Sequence, residues 1–347
     1  MHDSFHEHDG ARELLALRAL PGVGDVGAQT EIARHGSARA ALGQRGTDTR
    51  DAAYEIADRA LEAARAKHMH VITRDSGSYP TRLLELHDAP AVLFAQGTMA
   101  TADPPAVAIV GTRAASSYGV RVARSIATAC AKAGATVISG MAQGIDGVAH
   151  QAALDVGGRT VAVLGTGIDV IFPPRHRALQ AQVARDGLLL TELHPGQHGH
   201  AGTFPRRNRI IAALADVTVV IEAGERSGAL ITANYAHELH RTVACVPNAI
   251  DIPSSRGSNA LMKDFAEPIL AADDVLELLQ LRAQPTPTPL LDDSAAACWH
   301  AIGQGASSIA QISVEASLPT RAVASALSVL ELEGLVTVEH DGRVRAL

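Results

Sequence analysis

"VAIVGTRAASSYGVRVARSIATACAKAGATVIS", residues 107–139, decides the fold. It opens on a short apolar run rich in β-branched residues (107–110) and turns at Gly111. A helical pattern follows, and the stretch closes on a second such run (136–139). Strands apolar on both faces must be covered by helices on both sides, so the stretch reads as one crossover of a parallel sheet. The rhythm repeats in "TVAVL" (160–164), "LLLT" (188–191), "VTVVIE" (217–222) and "TVACV" (242–246), with "GALITANYAHELHR" (228–241) as a helix between. The expected class is α/β, a doubly wound parallel sheet. Residues 68–103 lead into it with a strand or two of their own.

Three other segments flank this core. Residues 1–67 alternate helical patterns with glycine breaks, and Leu20-Pro21-Gly22-Val23-Gly24 resembles the turn of a helix-hairpin-helix domain. Such a turn either presents amides to a phosphate or simply joins two helices. "AQPTPTPLLDD" (283–293) is proline-rich, and a linker is expected over 281–293. Residues 294–347 give three helical patterns and a hairpin turning at Asp341-Gly342, a winged-helix layout. The expected domains are therefore 1–67, 68–280 and 294–347.

Bulk charge argues against a basic module. The net charge is −7, and basic against acidic residues number 9 to 11 over 1–67, 17 to 19 over 68–280 and 4 to 7 over 281–347. Any anion site must be a local focus of positive potential. No apolar run is long enough to span a membrane. Cys130, Cys245 and Cys298 are too scattered for a disulfide framework or a CxxC metal site, and the acidic, histidine-rich N-terminus does not read as a secretory signal. A cytoplasmic location is expected.

In open α/β sheets ligands bind beyond the carboxyl ends of the strands. Those ends carry "GTRAASSYG" (111–119), "SGMAQGIDGVAH" (139–150), "GTGIDVIFPPRHR" (165–177), "TELHPGQHGHAGTFPRRNR" (191–209) and "EAGERSGALITA" (222–233). Glycines there leave backbone amides free to meet an anion. Arg113, Arg175, Arg177, Arg206, Arg207 and Arg209 would line the same rim. The last three crowd the first turn of a helix, where the dipole disfavours cations. A phosphate held between guanidinium forks and amides would explain them; the alternative is solvated arginines or ion pairs with Glu192 and Asp216. His194, His198 and His200 offer metal ligands in principle, but their Gly/Pro setting reads as a loop, and no metal or other cofactor is expected. Neither a dinucleotide GxGxxG nor a P-loop is present, and no local nucleophile signature supports catalysis.

"VAIVGTR…YG", "VISGMAQGIDGVAH", "VAVLGTGIDVIFPP", "FPRRNRIIAALAD", "SGALITANYA" and "SRGSNAL" follow one another in the order and spacing of the DprA (Smf) family. The resemblance covers residues 70–280 strongly, and the flanking segments fit the family's three-part arrangement. It implies an extended Rossmann-like sheet and a single-stranded DNA-binding protein, not an enzyme. Such a protein protects incoming strands in natural transformation, forms homodimers and loads the RecA recombinase. By motif match the DNA pocket would use Arg113, Gly140, Gly144, Asp146, Gly165, Gly167, Phe172, Arg175, Arg206, Arg207, Asn208 and Arg209. Some relatives carry a lysine at the position of Pro174, and Arg175 is the candidate substitute. Phe172 and Phe204 lie in the rim loops, where they either stack bases or pack loop against sheet. The competing class is a nucleotide hydrolase resembling the lysine-decarboxylase-like phosphoribohydrolases. Those carry "PGGxGTxxE", where this chain has "GERSGALITA". The winged-helix tail carries Arg321 against Glu331 and Glu333, so it is expected to contact protein, regulate the pocket or support self-association instead of reading DNA.

Overall fold

The computed structural model describes residues 10–99, 105–282, 291–333, 335–339 and 342–346. Most of the expected linker, the histidine-rich start and Asp341 of the hairpin turn lie outside the described residues. The chain divides into two compact units, residues 1–283 and 284–347.

In the first unit, strands β3 (Ala106–Val110), β4 (Thr136–Ser139), β5 (Thr160–Val163), β6 (Leu188–Thr191), β7 (Val217–Val220) and β8 (Thr242–Cys245) form the parallel core. The antiparallel pair β1 (His70–Thr73) and β2 (Val92–Gly97) joins on the β6 side, and the short β9 (Glu267–Pro268) closes the other edge. Among the described residues the order is β1-β2-β6-β5-β4-β3-β7-β8-β9. This is the extended Rossmann-like sheet, mixed because β2 runs against the rest. Helices α5 (Ser117–Lys132) and α6 (Ile145–Asp155) cover one face through Ala123, Ile126, Ala127 and Ala149. Helices α8 (Thr203–Leu214) and α9 (Gly228–Glu238) cover the other through Ile210, Ile211, Leu214 and Ala233.

Helices α1 (Ala11–Ala19), α2 (Gly24–His35), α3 (Ala38–Gly43) and α4 (Thr47–Ala66) precede the sheet. Gly22, at φ +76°, makes the turn between α1 and α2. These helices do not stand apart: Leu14, Leu15, Leu17, Leu42 and Leu61 pack in one cluster with Val71, Phe94, Leu164 and Leu189 of the sheet region. Each fully buried leucine contributes about 1.5–3 kcal/mol, which ties the front helices to the sheet where the sequence suggested a boundary near residue 67.

Helices α10 (Arg256–Asp264) and α11 (Ala272–Leu278) complete the first unit; the second has α12 (Asp293–Gly303), α13 (Ile309–Glu315), α14 (Thr320–Leu332) and the hairpin β10 (Val336–Val338) with β11 (Val344–Ala346). Its core is Ala295, Cys298, Ile312, Val323, Leu327 and Leu330, the winged-helix arrangement.

One core group makes stability pH-dependent. His150 of α6 is fully buried, with Nδ1 2.8 Å from Thr160 Oγ1. Desolvation, then the charges of His176 and Arg207, push its pKa down to about 3. The unfolded chain therefore takes up the proton first, and stability falls as pH drops below the ordinary histidine value. The expected loss between pH 7 and pH 5 is about 2 kcal/mol. Urea unfolding at the two pH values checks it, and a His150→Gln variant should flatten the difference.

Candidate functional site

Strand β3 is flanked by β4 on one side and β7 on the other, so the chain connections diverge at the β3–β7 boundary. A crevice must open beyond the carboxyl ends of that pair. The structure has it there: a cavity of about 750 Å³ lined by Arg113, Asp146, Phe204, Arg207, Asn208 and Arg226, with the 224–228 backbone. Gly144 enters α6 at φ +78°, where a side chain would also strike the Thr112 carbonyl. Glycine is what lets the first and second rim turns meet.

The floor of the crevice holds two buried charged residues, Arg207 and Asp146. Arg207 Nη1 donates to the Gly140 carbonyl at 2.6 Å and to the Val163 carbonyl, and Nε donates to Asn208 Oδ1 at 3.1 Å. The Asn208 amide in turn donates to the Gly228 carbonyl at 3.1 Å. A Cβ at Gly140 would lie 2.6 Å from Arg207 Cζ, so any side chain there would displace the guanidinium. The Asp146 carboxylate accepts from the amides of Gly140 (3.1 Å) and Ala142 (3.2 Å). Burial lowers the Arg207 pKa to about 10, with the Asp146 charge opposing the fall. Burial likewise pushes the Asp146 carboxyl up, with Arg207 opposing. Strand-end carbonyls thus satisfy a cation that the helix dipole alone would disfavour.

The two other arginines of the trio point elsewhere. Positions three apart share a helix face, and Arg207 lies about 100° round from Arg206. Arg206 Nη2 reaches Asp25 at 2.7 Å and Glu192 at 3.3 Å. Arg209 is bound by Asp88 at 2.8 Å and by Glu192 at 2.8 Å, with 2% of its side chain exposed. Arg18 closes the set on Asp25 at 2.7 Å. Neither Arg206 nor Arg209 lines the crevice. Of the three expected to line one rim, only Arg207 does; Glu192 takes the ion-pair role while Asp216 pairs with Arg82 at 2.5 Å.

Arg113 stands on the lip. It is exposed, its guanidinium lies 5.8 Å from the Phe204 ring centroid, and among the described residues it has no carboxylate partner. Phe204 and Phe172 lie 5.0 Å apart, and Phe172 is 42% exposed. Gly165 lies against the Phe204 ring, and Gly140 lines the same recess between Arg113 and Phe172. Gly167 sits further out, its amide donating to the Gln197 carbonyl at 2.8 Å. Arg175, with Gly144, lies on the far side of Arg113 in an adjoining groove. Arg226 is the lining residue that sequence reasoning left unassigned, although it sits in the fifth rim turn. His194 packs 5.9 Å from the Phe94 ring, and among the described residues no group of three His, Cys, Asp or Glu side chains is placed to hold a metal.

The chain matches the family described as DNA recombination-mediator protein A over residues 70–280 and the DprA winged helix domain over 282–342. It is 43% identical to protein Smf of Synechocystis, covering 67% of this chain and 58% of that one. It is 37% identical to the putative DNA processing protein DprA of Mycobacterium tuberculosis, covering 93% of this chain and 85% of that one. DNA processing protein A of Streptococcus pneumoniae superposes with a TM-score of 0.69 at 32% identity, covering 79% of this chain and 99% of that one. DNA processing protein A of Helicobacter pylori superposes with a TM-score of 0.55 at 30% identity, covering 60% and 95%; that structure addresses that protein's unique single-stranded DNA binding mode. The chain belongs to the DprA (Smf) family.

Proposed function

We propose that this chain binds single-stranded DNA without sequence preference, through the crevice at the β3–β7 boundary. The observation that carries the reading is Arg113: an exposed guanidinium with no carboxylate partner among the described residues, beside two adjacent phenylalanine rings. Sequence-neutral single-strand sites combine backbone charges with aromatic faces. A duplex would need a broad basic face, and the net charge of −7 does not supply one. The proposed role is that of the family resemblance: a cytoplasmic homodimer that protects incoming strands and loads RecA in natural transformation, without catalysis.

Fluorescence anisotropy with oligothymidylate and a matched duplex tests the binding. Affinity for the single strand should fall linearly in log–log salt at about 0.7 per neutralised phosphate, giving a slope near −2 for about three contacts. A flat salt response, or tighter duplex binding, refutes the reading.

Two observations support binding over the hydrolase alternative. Glu222 accepts from Ser116 Oγ at 2.8 Å and from Ser254 Oγ at 2.6 Å, one serine on each carboxylate oxygen. Asp146, in the crevice lining, accepts both amides on Oδ2, which holds it as a structural group. Glu222 has both oxygens engaged; Glu225, the other carboxylate a hydrolase could use, is exposed and outside the crevice lining. No release of base from nucleoside monophosphates is expected; measurable release would favour the hydrolase.

The tail is proposed to serve a protein contact or regulation. Helix α14 carries one cation, Arg321 in its first turn, against two carboxylates, Glu331 in its last turn and Glu333 at its C-cap, a poor surface for phosphates. Deleting residues 284–347, which form their own compact unit, should leave single-strand affinity within about three-fold. A collapse of binding would assign the tail to the DNA site.

A further inference from the structure

Arg113 is a ridge between two depressions. Beyond it lies a second groove of about 590 Å³, between the facing sides of α5 and α6 and the start of helix α7 (Arg177–Asp186) with the 3-10 turn that leads into it. Its walls carry Arg113, Arg124, Arg175 and His176, with the amides of Gln143 and Gln151 between them, and no carboxylate lines it. The spacing is helical: Val120 and Arg124 share a face of α5, while Gly147, Val148 and Gln151 share one of α6. Arg124 contacts Asp155 at 3.1 Å, but both side chains are about half exposed, at 51% and 46%. Such a pair is weak, so the guanidinium can turn to a phosphate. At the opposite end of the crevice the neighbouring depression presents Glu222, Tyr118 and Ile252, which suits no polyanion.

We infer that a single strand seated in the crevice crosses Arg113 and continues along this groove, where Arg124 and Arg175 take backbone phosphates. This rests on the single-strand reading above and extends it: the strand leaves on the α5–α6 side, and the site is longer than the crevice. Gln143 and Gln151 place neutral amides between the guanidinium groups, a lining indifferent to base identity; Gln151 Nε2 donates to Asp155 at 2.8 Å, so a strand must draw Gln151 and Arg124 off the same exposed carboxylate.

The test compares oligothymidylates of about 4 and about 16 nucleotides, spanning the usual range of single-strand site sizes, on the full chain. The double variant Arg124→Gln, Gln151→Glu removes a charge and adds an opposite one with little change of shape. It should weaken the long oligomer about ten-fold. The salt slope for that oligomer should shrink by about 0.7 per lost contact. The short oligomer, confined to the crevice, should bind as before, and Arg124→Lys should retain most of the long-oligomer affinity. Equal weakening of both lengths, or of neither, overturns the groove. Failure of the unaltered chain to bind either length is a separate outcome: it sinks the single-strand reading and the groove with it.

Discussion

Replacing Glu192 with alanine is expected to destabilise the first unit by about 3–5 kcal/mol, because it takes from the buried Arg209 one of its two counter-charges. Glu192 is 4% exposed in its side chain and is held by Arg209 at 2.8 Å and Arg206 at 3.3 Å. Burial alone would lower the Arg209 pKa; Glu192 and Asp88 together raise it above the ordinary value instead. Without Glu192, Arg209 keeps Asp88 alone while 98% of its side chain stays out of water. The loss should be visible as a fall in the urea midpoint with little change in its slope. A loss under about 1 kcal/mol would mean that water reaches the site and screens it. The network also joins the front helices to the sheet, since Asp25 of α2 bonds Arg206 of α8 and accepts from the Ala91 amide at 3.0 Å.

Arg113→Ala is expected to do the opposite: weaken single-strand affinity by about 1.5–3 kcal/mol, the range for hydrogen bonds to charged groups. Stability should move by less than about 0.5 kcal/mol, because an exposed side chain away from the core contributes little to it. Arg113→Lys separates charge from geometry. It should keep the salt slope and still lose part of the affinity, since an ammonium cannot form the two-pronged contact of a guanidinium. Parallel anisotropy titrations and thermal melts check all three. Unchanged affinity in Arg113→Ala would empty the crevice of its proposed role.

The strands of the parallel core were legible in the sequence to within two residues, for a physical reason: a strand buried on both faces leaves an uninterrupted apolar run that needs no partner to be recognised. The rim turns were legible too, since Gly144 meets the Thr112 backbone and Gly140 meets the Arg207 guanidinium at distances that leave no room for a side chain. The arginine trio was legible only in part. The three residues look alike in "FPRRNR", yet a quarter-turn of helix sends Arg207 under the strand ends and the other two away from them.

The family resemblance and the doubly wound class came from local pattern, because hydrophobic periodicity and turn chemistry act over a few neighbouring residues. The division of labour among the arginines came from tertiary structure alone. Asp25 and Asp88, which hold Arg206 and Arg209, lie 181 and 121 residues away in the chain. Only folding brings those carboxylates within reach, and an ion pair leaves no mark on the spacing of the residues that form it.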